Sequence, residues 1–439
     1  MTAVGTEKYR HSLPEKIGKY EIRQLLGEGT TSQVFLAYDS FTQNSVALKY
    51  FHPEMLRNHE KSQLYRHLMM NEVALVGKLN HPHIVHIFDA VQADDEAYIV
   101  MEYVAGGTLE AYSRPQRLLP FNRLTEIIFK ATRALDYAFH RGITHRDIKP
   151  ANIMLVDSEG QDIKLTDFGI ALNNASEATQ IIGVGSPGYM SPQQIRDMHV
   201  DHRADIYSLG VVMYQLLTGH LPFESQNGMN LMYRIIHDTP PQPCELRPEI
   251  PEALNTIVLR AMEKELERRY QTWVEFSHDL AQAFHNTKLN ASAIEIPDTE
   301  KFETLRKSHF FQEFTDVEIW EVVNFSQWRR TSPGTTIIRE GEQGSYFCLL
   351  GAGEACVKKQ GKLLHMLTEG DCFGEMAMFS SGGSIRSASV EAMTQVNVIT
   401  IEATALNKAS DTCRMHFYKS FLKVLSTRLS LATSRIANT

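Results

Sequence analysis

The sequence predicts an α+β protein: a part that mixes strands and helices, followed by a small β-roll closed by C-terminal helices. Three observations predict it. Alternation of apolar and polar residues begins at Lys19-Tyr20-Glu21-Ile22, and strand-like apolar runs recur up to Val104. A long helical repeat runs from Phe121 to His140, with Leu124, Ile127, Ile128, Ala131, Leu135 and Ala138 on one face. From Thr335 the pattern changes to short strands punctuated by Gly341, Gly344, Gly351, Gly353, Gly361 and Gly370. At 439 residues the chain exceeds one ordinary core, and a prior of about 150 residues per domain gives roughly three units.

Composition excludes several classes. A formal net charge of -8 argues against a nucleic-acid-binding surface as the main business of the chain. The five cysteines, Cys244, Cys348, Cys356, Cys372 and Cys413, show neither metal-ligand spacing nor an even framework, so they read as reduced thiols of a cytoplasmic protein. Residues 1–16 carry charges throughout and lack the apolar core of a signal peptide. No segment has the apolar length that crosses a bilayer, so no membrane partner is expected.

Taken in order, residues 1–18 read as an unstructured lead. The strand that starts at Lys19 runs through Leu26 into Gly27-Glu28-Gly29-Thr30-Thr31-Ser32-Gln33-Val34, two glycines in a turn between strands. The missing side chains let backbone N–H groups approach a phosphate, although a plain hairpin turn gives the same pattern. Val46-Ala47-Leu48-Lys49 follows as the next strand. A helix is expected from Ser62 to Leu79, where Leu64, Leu68, Val73, Val76 and Leu79 recur near helical spacing, and Glu72 lies on it. His81, His83 and His86 are close in sequence, but a zinc site needs three or four converging ligands, and no metal is assigned to them. Tyr98 to Val104 reads as an apolar strand entering a connector, and Gly106-Gly107-Thr108-Leu109 as the start of a helix.

The helix from Phe121 delivers Ile143-Thr144-His145-Arg146-Asp147-Ile148-Lys149-Pro150-Ala151-Asn152, which places an acid, a base and an amide in one loop. Asp147 can accept a proton from a hydroxyl, Lys149 can sit beside a phosphate in flight, and Asn152 can hold a divalent cation by its amide oxygen. Lys164-Leu165-Thr166-Asp167-Phe168-Gly169 adds a second oxygen ligand just after an apolar strand. Two hard oxygen donors and a general base are what phosphoryl transfer from a magnesium nucleotide needs. These segments resemble the catalytic loop and the Asp-Phe-Gly segment of eukaryotic-like serine/threonine protein kinases, and Lys19 to Phe284 as a whole resembles their bilobal fold.

The resemblance implies roles. Asp147 would be the general base with Lys149 beside it, and Asn152 and Asp167 would hold Mg2+, with Mn2+ as a substitute. Leu26, Gly27, Glu28, Gly29, Ser32, Val34 and Ala47 would line an ATP site, with Ser32 standing at the third glycine position of the usual pattern. Lys49 would pair with the α and β phosphates and with Glu72; Met101 would guard the adenine pocket, and the backbone of Glu102 and Val104 would bind the base. Lys149, two residues after Asp147, is the serine/threonine form of the loop, so the expected acceptors are Ser and Thr hydroxyls of protein substrates. The polar segment between Asp167 and Ser191 resembles an activation loop. Arg146 needs an anion there, and Ser176 and Thr179 are candidate phosphosites that would supply one; an unmodified loop ordered by other contacts is the alternative. Gln193 stands where the family usually has a glutamate paired with a late arginine, here Arg269, and Asp205 to Val212 resembles the buried helix that anchors the catalytic loop.

Residues 286–300 are polar, with Pro297, and read as a linker between a kinase domain at 19–285 (lobes 19–104 and 105–285) and a second domain at 301–439. In the second, Phe373-Gly374-Glu375-Met376-Ala377-Met378 and Arg386-Ser387-Ala388-Ser389-Val390 resemble the cyclic nucleotide-binding domain of catabolite-activator-type regulators and of cyclic-nucleotide-dependent kinases. The resemblance implies a site for cAMP or cGMP. Glu375 would accept from a ribose hydroxyl, backbone N–H groups from Gly374 through Met376 and Ala377 would hold the cyclic phosphate, and Arg386, with Ser387 next to it, would neutralise its charge. Eleven residues separate Glu375 from Arg386, about one or two more than the pattern has. The extra length, in Ser380 to Ile385, reads as a floppier loop or as a different or lost ligand; an empty roll serving as a docking platform, with Arg386 paired to a protein carboxylate, is the alternative. Ala403 to Ile436 is helical by pattern, with Phe417, Phe421, Val424, Leu425 and Leu429 near one face. That face is expected to pack on the roll over the ligand, and a homodimer interface is its other use.

The expected function is an ATP-dependent serine/threonine protein kinase regulated in cis by cyclic nucleotide. An active kinase whose roll binds a protein or another ligand, and a non-catalytic scaffold, are the alternatives.

Overall fold

A computed structural model describes residues 14–29, 32–52, 73, 77–93, 96–157, 162–168, 187–196, 198, 200–286, 296–375 and 384–437. Most of the helix expected over 62–79, Glu72 included, the candidate phosphosites Ser176 and Thr179, and Met376 and Ala377 fall outside the described residues. The chain divides into two compact units, Met1–Asn290 and Ala291–Thr439.

The first unit opens with an antiparallel sheet built from β1 (Lys16–Ile17), β2 (Tyr20–Glu28), β3 (Ser32–Asp39), β4 (Asn44–Phe51), β5 (Ile87–Gln92) and β6 (Ala97–Glu102), in the order β1-β2-β3-β4-β6-β5. Period-two alternation sorts its side chains. Val46 and Leu48 of β4 join Tyr98 and Val100 of β6 in one core, with Ile17, Tyr20, Phe35 and Ala37. Ala47 of β4 joins Ala97, Ile99 and Met101 of β6 in another cluster, with Val85 and Val104. Lys49, two residues after Ala47, therefore projects to the second face, and this places it for the site. The fold begins before Lys19, because Ile17 is buried and β1 pairs with Tyr20 and Glu21. A two-residue strand has no alternation to read.

Gly106 and Gly107 lead into single 3-10 turns, Leu109–Tyr112 and Pro115–Arg117, and not into an α-helix. The long helix is α1 (Phe121–Phe139), whose repeat buries Leu124, Ile127, Ile128, Ala131, Leu135 and Ala138. After the hairpin of β7 (Ile153–Leu155) and β8 (Ile163–Leu165) come α2 (His202–Thr218), α3 (Gly228–His237), α4 (Glu252–Ala261) and α5 (Trp273–Asn286). Asp201 caps the start of α2 by accepting from Arg203 N–H, and Gly219 ends it at φ 81°. A Cβ at Gly219 would also strike the backbone of Pro115.

The second unit starts with α6 (Asp298–Lys307) and α7 (Asp316–Phe325). Helix therefore occupies part of the stretch read as linker: α5 still includes Asn286, and α6 starts at Asp298. Pro297 precedes the first turn of α6, a place proline tolerates, and Asp298 and Glu300 in that turn suit the helix dipole.

The roll contains β9 (Gln327–Thr331), β10 (Thr336–Ile338), β11 (Gln343–Gly344), β12 (Tyr346–Ala352), β13 (Ala355–Lys359), β14 (Lys362–Leu367), β15 (Cys372–Phe373), β16 (Ser384–Ile385), β17 (Ser389–Ala392) and β18 (Val396–Glu402). Two antiparallel sheets, β10-β17-β13-β14 and β15-β12-β18-β9, enclose Ile337, Ile338, Cys348, Leu350, Leu367, Phe373, Val390 and Val398; β11 and β16 pair separately. The tail is not one helix. A short turn, Ala403–Leu406, is separated from α8 (Asp411–Ala437) where Ser410 N–H donates to Glu321 (2.9 Å). Phe417 and Phe421 pack against Phe310 and Phe347, whereas Leu429, expected on the packed face, is 71% exposed.

Candidate functional site

The loop after α1 is shaped by Asp205, buried in the first turn of α2. Its Oδ2 accepts from His145 N–H (2.6 Å) and its Oδ1 from Arg146 N–H (2.8 Å). Burial pushes the Asp205 carboxyl up to about 7, against the opposite pull of the two N–H groups and of Arg146. Arg146 is held at φ 63° and Asp167 at φ 52°, left-handed conformations that cost a non-glycine residue about 1–3 kcal/mol each. His145 is 1% exposed and its ring lies 4.5 Å from Phe168. Thr166 O can only accept, so His145 Nε2 carries the proton in that contact (3.1 Å), and Nδ1 faces Asp147 N–H (3.4 Å). Burial keeps that ring neutral by pulling its pKa down.

Asp147 Oδ2 accepts from Lys149 Nζ (2.7 Å) and from Asn152 Nδ2 (3.0 Å). Asn152 Nδ2 also donates to Asp147 O (2.8 Å), which turns its amide oxygen the other way. Because both side-chain donors use Oδ2, Asp147 Oδ1 is the oxygen placed to take a proton. Thr166 N–H donates to Asn152 O (3.0 Å), tying this loop to the segment that carries Asp167. Lys49 Nζ reaches Asp167 Oδ1 at 2.7 Å. Burial raises the Asp167 carboxyl, but Lys49 more than reverses this and holds it below the usual carboxylate range. Asn152 Oδ1 and Asp167 Oδ2 are two hard oxygen donors on linked segments, the donor chemistry of Mg2+. Among the described residues no three His, Cys, Asp or Glu side chains converge on a metal position, and His81, His83 and His86 form none.

Between these groups and the sheet lies an apolar cradle. Ala47, Met101 and Val104 pack in one cluster with Val34 and with Met154 of β7. Behind Met101, Val85, Ile99, Leu165 and Phe168 line a small cavity. Glu102 donates its N–H to His86 O (2.9 Å), so any bond from Glu102 to a base falls to its carbonyl, and its side chain is salt-bridged to Lys164 (2.8 Å). At the hairpin, Gly29 N–H donates to Ser32 O (2.8 Å), and a Cβ at Gly27 would meet nothing within 4 Å. Leu26 and Glu28 are exposed beside it, and Ser32 is buried.

In the roll, Arg386 is 6% exposed and pairs with no carboxylate among the described residues: its Nη1 donates to Gly374 O (2.9 Å) and its Nη2 to Tyr346 O (2.7 Å). Its guanidinium lies 4.5 Å from the Tyr346 ring centroid, in space that Gly344 leaves by lacking a Cβ. Glu375, 5% exposed, accepts from Arg428 Nη1 of α8 at 2.6 Å. Ser387 is exposed.

A protein kinase domain family model matches residues 20–283. The chain belongs to the protein kinase family. A cyclic nucleotide-binding domain model matches residues 328–413 of the second unit. A probable serine/threonine-protein kinase of Clostridium acetobutylicum is 36% identical over 270 residues, covering 61% of this chain and 40% of that protein. Serine/threonine-protein kinase PknB of Mycobacterium leprae is 37% identical over 274 residues, covering 61% of this chain and 43% of that protein. The chain thus spans less than half the length of these two relatives. Among solved structures, the crystal structure of Rad53 1-466 in complex with AMP-PNP is 25% identical with a TM-score of 0.50, over 60% of this chain and 64% of that one.

Within the kinase domain, the structure gathers Asp147, Lys149 and Asn152 in one hydrogen-bonded group and Lys49 with Asp167 in another. Gln193 stands opposite Arg269 as the sequence suggested: Arg269 Nη2 donates to Gln193 Oε1 at 3.1 Å, and Gln193 Nε2 donates to Lys264 O at 2.9 Å. Met154 in the cradle and Arg428 at Glu375 are not among the residues singled out from the sequence. Met154 had a readable signal, since it follows Asn152 on the next short strand; Arg428 had none, being 53 residues from its partner.

Proposed function

We propose that this chain is an ATP-dependent serine/threonine protein kinase whose second unit binds a cyclic nucleotide, cAMP or cGMP, and modulates the first. The observation that carries the kinase reading is the Lys149–Asp147–Asn152 cluster, linked through Asn152 O to the segment of Asp167 and Lys49. Asp147 takes the proton of the acceptor hydroxyl as its oxygen bonds to the γ-phosphorus and the bond to the β–γ bridging oxygen breaks, releasing ADP. Lys149, bonded to the same carboxylate, stands beside the transferring phosphoryl group, and Lys49 faces the α and β phosphates. Asn152 Oδ1 and Asp167 would hold Mg2+ or Mn2+, which when bound neutralises phosphate charge. Val34, Ala47, Met101, Val104 and Met154 enclose the base, with Glu102 and Val104 offering backbone groups and Leu26, Gly27, Glu28, Gly29 and Ser32 covering the phosphates. Ser176 or Thr179 is the autophosphorylation site, a part of the reading that lies outside the described residues.

The test is transfer of labelled phosphate from ATP to a generic basic protein. Activity abolished by Asp147→Asn supports the kinase, and no transfer by the wild type leaves the scaffold reading. The sensor rests on Glu375 and Arg386 lying within the segment that matches the cyclic nucleotide-binding model. One observation favours the alternative of a roll that docks another ligand: Arg386 is already satisfied by two carbonyls. Calorimetric titration with cAMP and cGMP, against Arg386→Ala, decides between them. Protein substrates, a cytoplasmic setting, no nucleic-acid partner and no membrane partner complete the proposal; no described helix is long and apolar enough to cross a membrane. A homodimer through α8 fits Met415, Tyr418 and Leu422, which are 55%, 47% and 68% exposed at three- and four-residue spacing.

A further inference from the structure

The segment Cys372 to Glu375 is gripped by two guanidinium groups from different elements. Arg386 donates to Gly374 O, and Arg428 of α8 donates both to Glu375 Oε1 and to Cys372 O. The side chain of Glu375 is 6% exposed and that of Arg428 38%, so this is a sealed carboxylate with a cation reaching in from the helix. A carboxylate buried to this degree requires a partner, and a planar fork that spans a carboxylate and a carbonyl is a strong one.

We propose that Arg428 is a built-in competitor at Glu375, so that a ribose-bearing cyclic nucleotide must displace it and in doing so releases the distal half of α8 from the roll. This rests on the reading of the roll as a cyclic nucleotide site. A ribose hydroxyl and the Arg428 fork address the same carboxylate, and a neutral hydroxyl is the weaker partner by charge. Binding therefore requires the remaining contacts of the nucleotide, chiefly the phosphate with Arg386, to outweigh the loss. Arg428 sets affinity from α8, outside the segments that carry Glu375 and Arg386. Phe417 and Phe421 keep the proximal half of α8 seated, since both are fully buried, so release acts beyond them.

The experiment uses the full chain. Calorimetric titration with cAMP and with cGMP is made on wild type, Arg386→Ala, Arg428→Ala and Arg428→Gln, the last keeping a donor while removing the charge. Hydrogen exchange over residues 422–437 is followed with and without each nucleotide. Both Arg428 variants are expected to bind about tenfold more tightly than wild type. Exchange in α8 should rise on nucleotide addition in wild type and be raised already, and insensitive to nucleotide, in the variants. Wild-type heat that Arg386→Ala abolishes but the Arg428 variants leave unchanged or weaken overturns the proposal and leaves the nucleotide site standing. Nucleotide binding with no change of exchange in wild-type α8 does the same. Absence of heat from every form, both Arg428 variants included, overturns the proposal and the nucleotide reading together.

Discussion

Replacing Asp205 with Asn should separate the anchor of the catalytic loop from the nucleotide cradle. The carboxylate receives two backbone N–H groups at 2.6 and 2.8 Å, one on each oxygen. Asparagine has the same shape but one acceptor, so one N–H keeps a neutral bond and the other faces an NH2 group. Losing a charge-assisted bond costs about 1.5–3 kcal/mol and stranding a buried N–H about 1–3 kcal/mol, together about 3–5 kcal/mol. For a unit of this size that lowers the melting temperature by roughly 10 °C. Arg146 at φ 63° then loses the contact that holds it, and the adjoining Asp147 shifts. A displacement of about 1 Å is enough to lower kcat about 100-fold. KM for ATP should stay near wild type, because Ala47, Met101 and Val104 do not touch this contact. Differential scanning fluorimetry and phosphate-transfer kinetics read both effects. Since burial pushes Asp205 up to about 7, wild type gains stability as pH falls below that value and the variant does not, so the gap in melting temperature should widen there. A variant melting within about 2 °C of wild type with kcat preserved would show that α2 does not set the loop.

Three further outcomes are expected. Gln193→Glu gains a charge-assisted bond to Arg269 but sets a carboxylate oxygen against Lys264 O, where Gln193 now donates at 2.9 Å. The net change in stability should lie within about 1 kcal/mol, and chemical denaturation showing a gain above about 2 kcal/mol would refute this cancellation. His81 and His145 are kept neutral by burial, so their folded pKa values lie below the unfolded value of about 6.5. Their contribution is present above that pH and is lost as pH falls through the folded values, while Asp205, raised, contributes in the opposite sense as pH climbs towards 7. His81→Asn, which keeps an acceptor for His83 N–H, should flatten the acid loss of melting temperature; an unchanged slope between pH 7 and 5 would exclude His81 as its source. Leu422→Glu should convert a dimer into a monomer in sedimentation velocity without changing the melting temperature, and a wild type that sediments as a monomer at every concentration counts against the dimer.

What could be read from the sequence follows the range of the interactions. The repeat of α1 was legible because one face meets one core. The Asp147 loop was legible because Asp147, Lys149 and Asn152 lie within six residues and bond to one another. The same holds for β4, whose alternation sends Ala47 and Lys49 to one side. β1 was not legible because two residues carry no period. α8 was legible in part because it serves two surroundings: Phe417 and Phe421 face the roll as expected, while Leu429, expected with them, is exposed like Met415, Tyr418 and Leu422, so apolar residues around the helix mark no single face. The charged contacts depend wholly on tertiary placement. Lys49 with Asp167 spans 118 residues and Arg428 with Glu375 spans 53, distances over which local patterns carry no pairing information.

The aromatic packing around Phe417 and Phe421 has a mechanical consequence. Phe310 sits 5.2 Å from Phe421 and 5.8 Å from Phe417, ring centroid to centroid, and Ser420 Oγ donates to Phe310 O at 2.7 Å. Phe310 lies directly after α6, so the last helix of the unit and its first share one stiff bearing. Torque applied to α8 at Arg428 need not travel through the strands of the roll. It passes through the Phe310 ring towards α6, the first helix of the same unit.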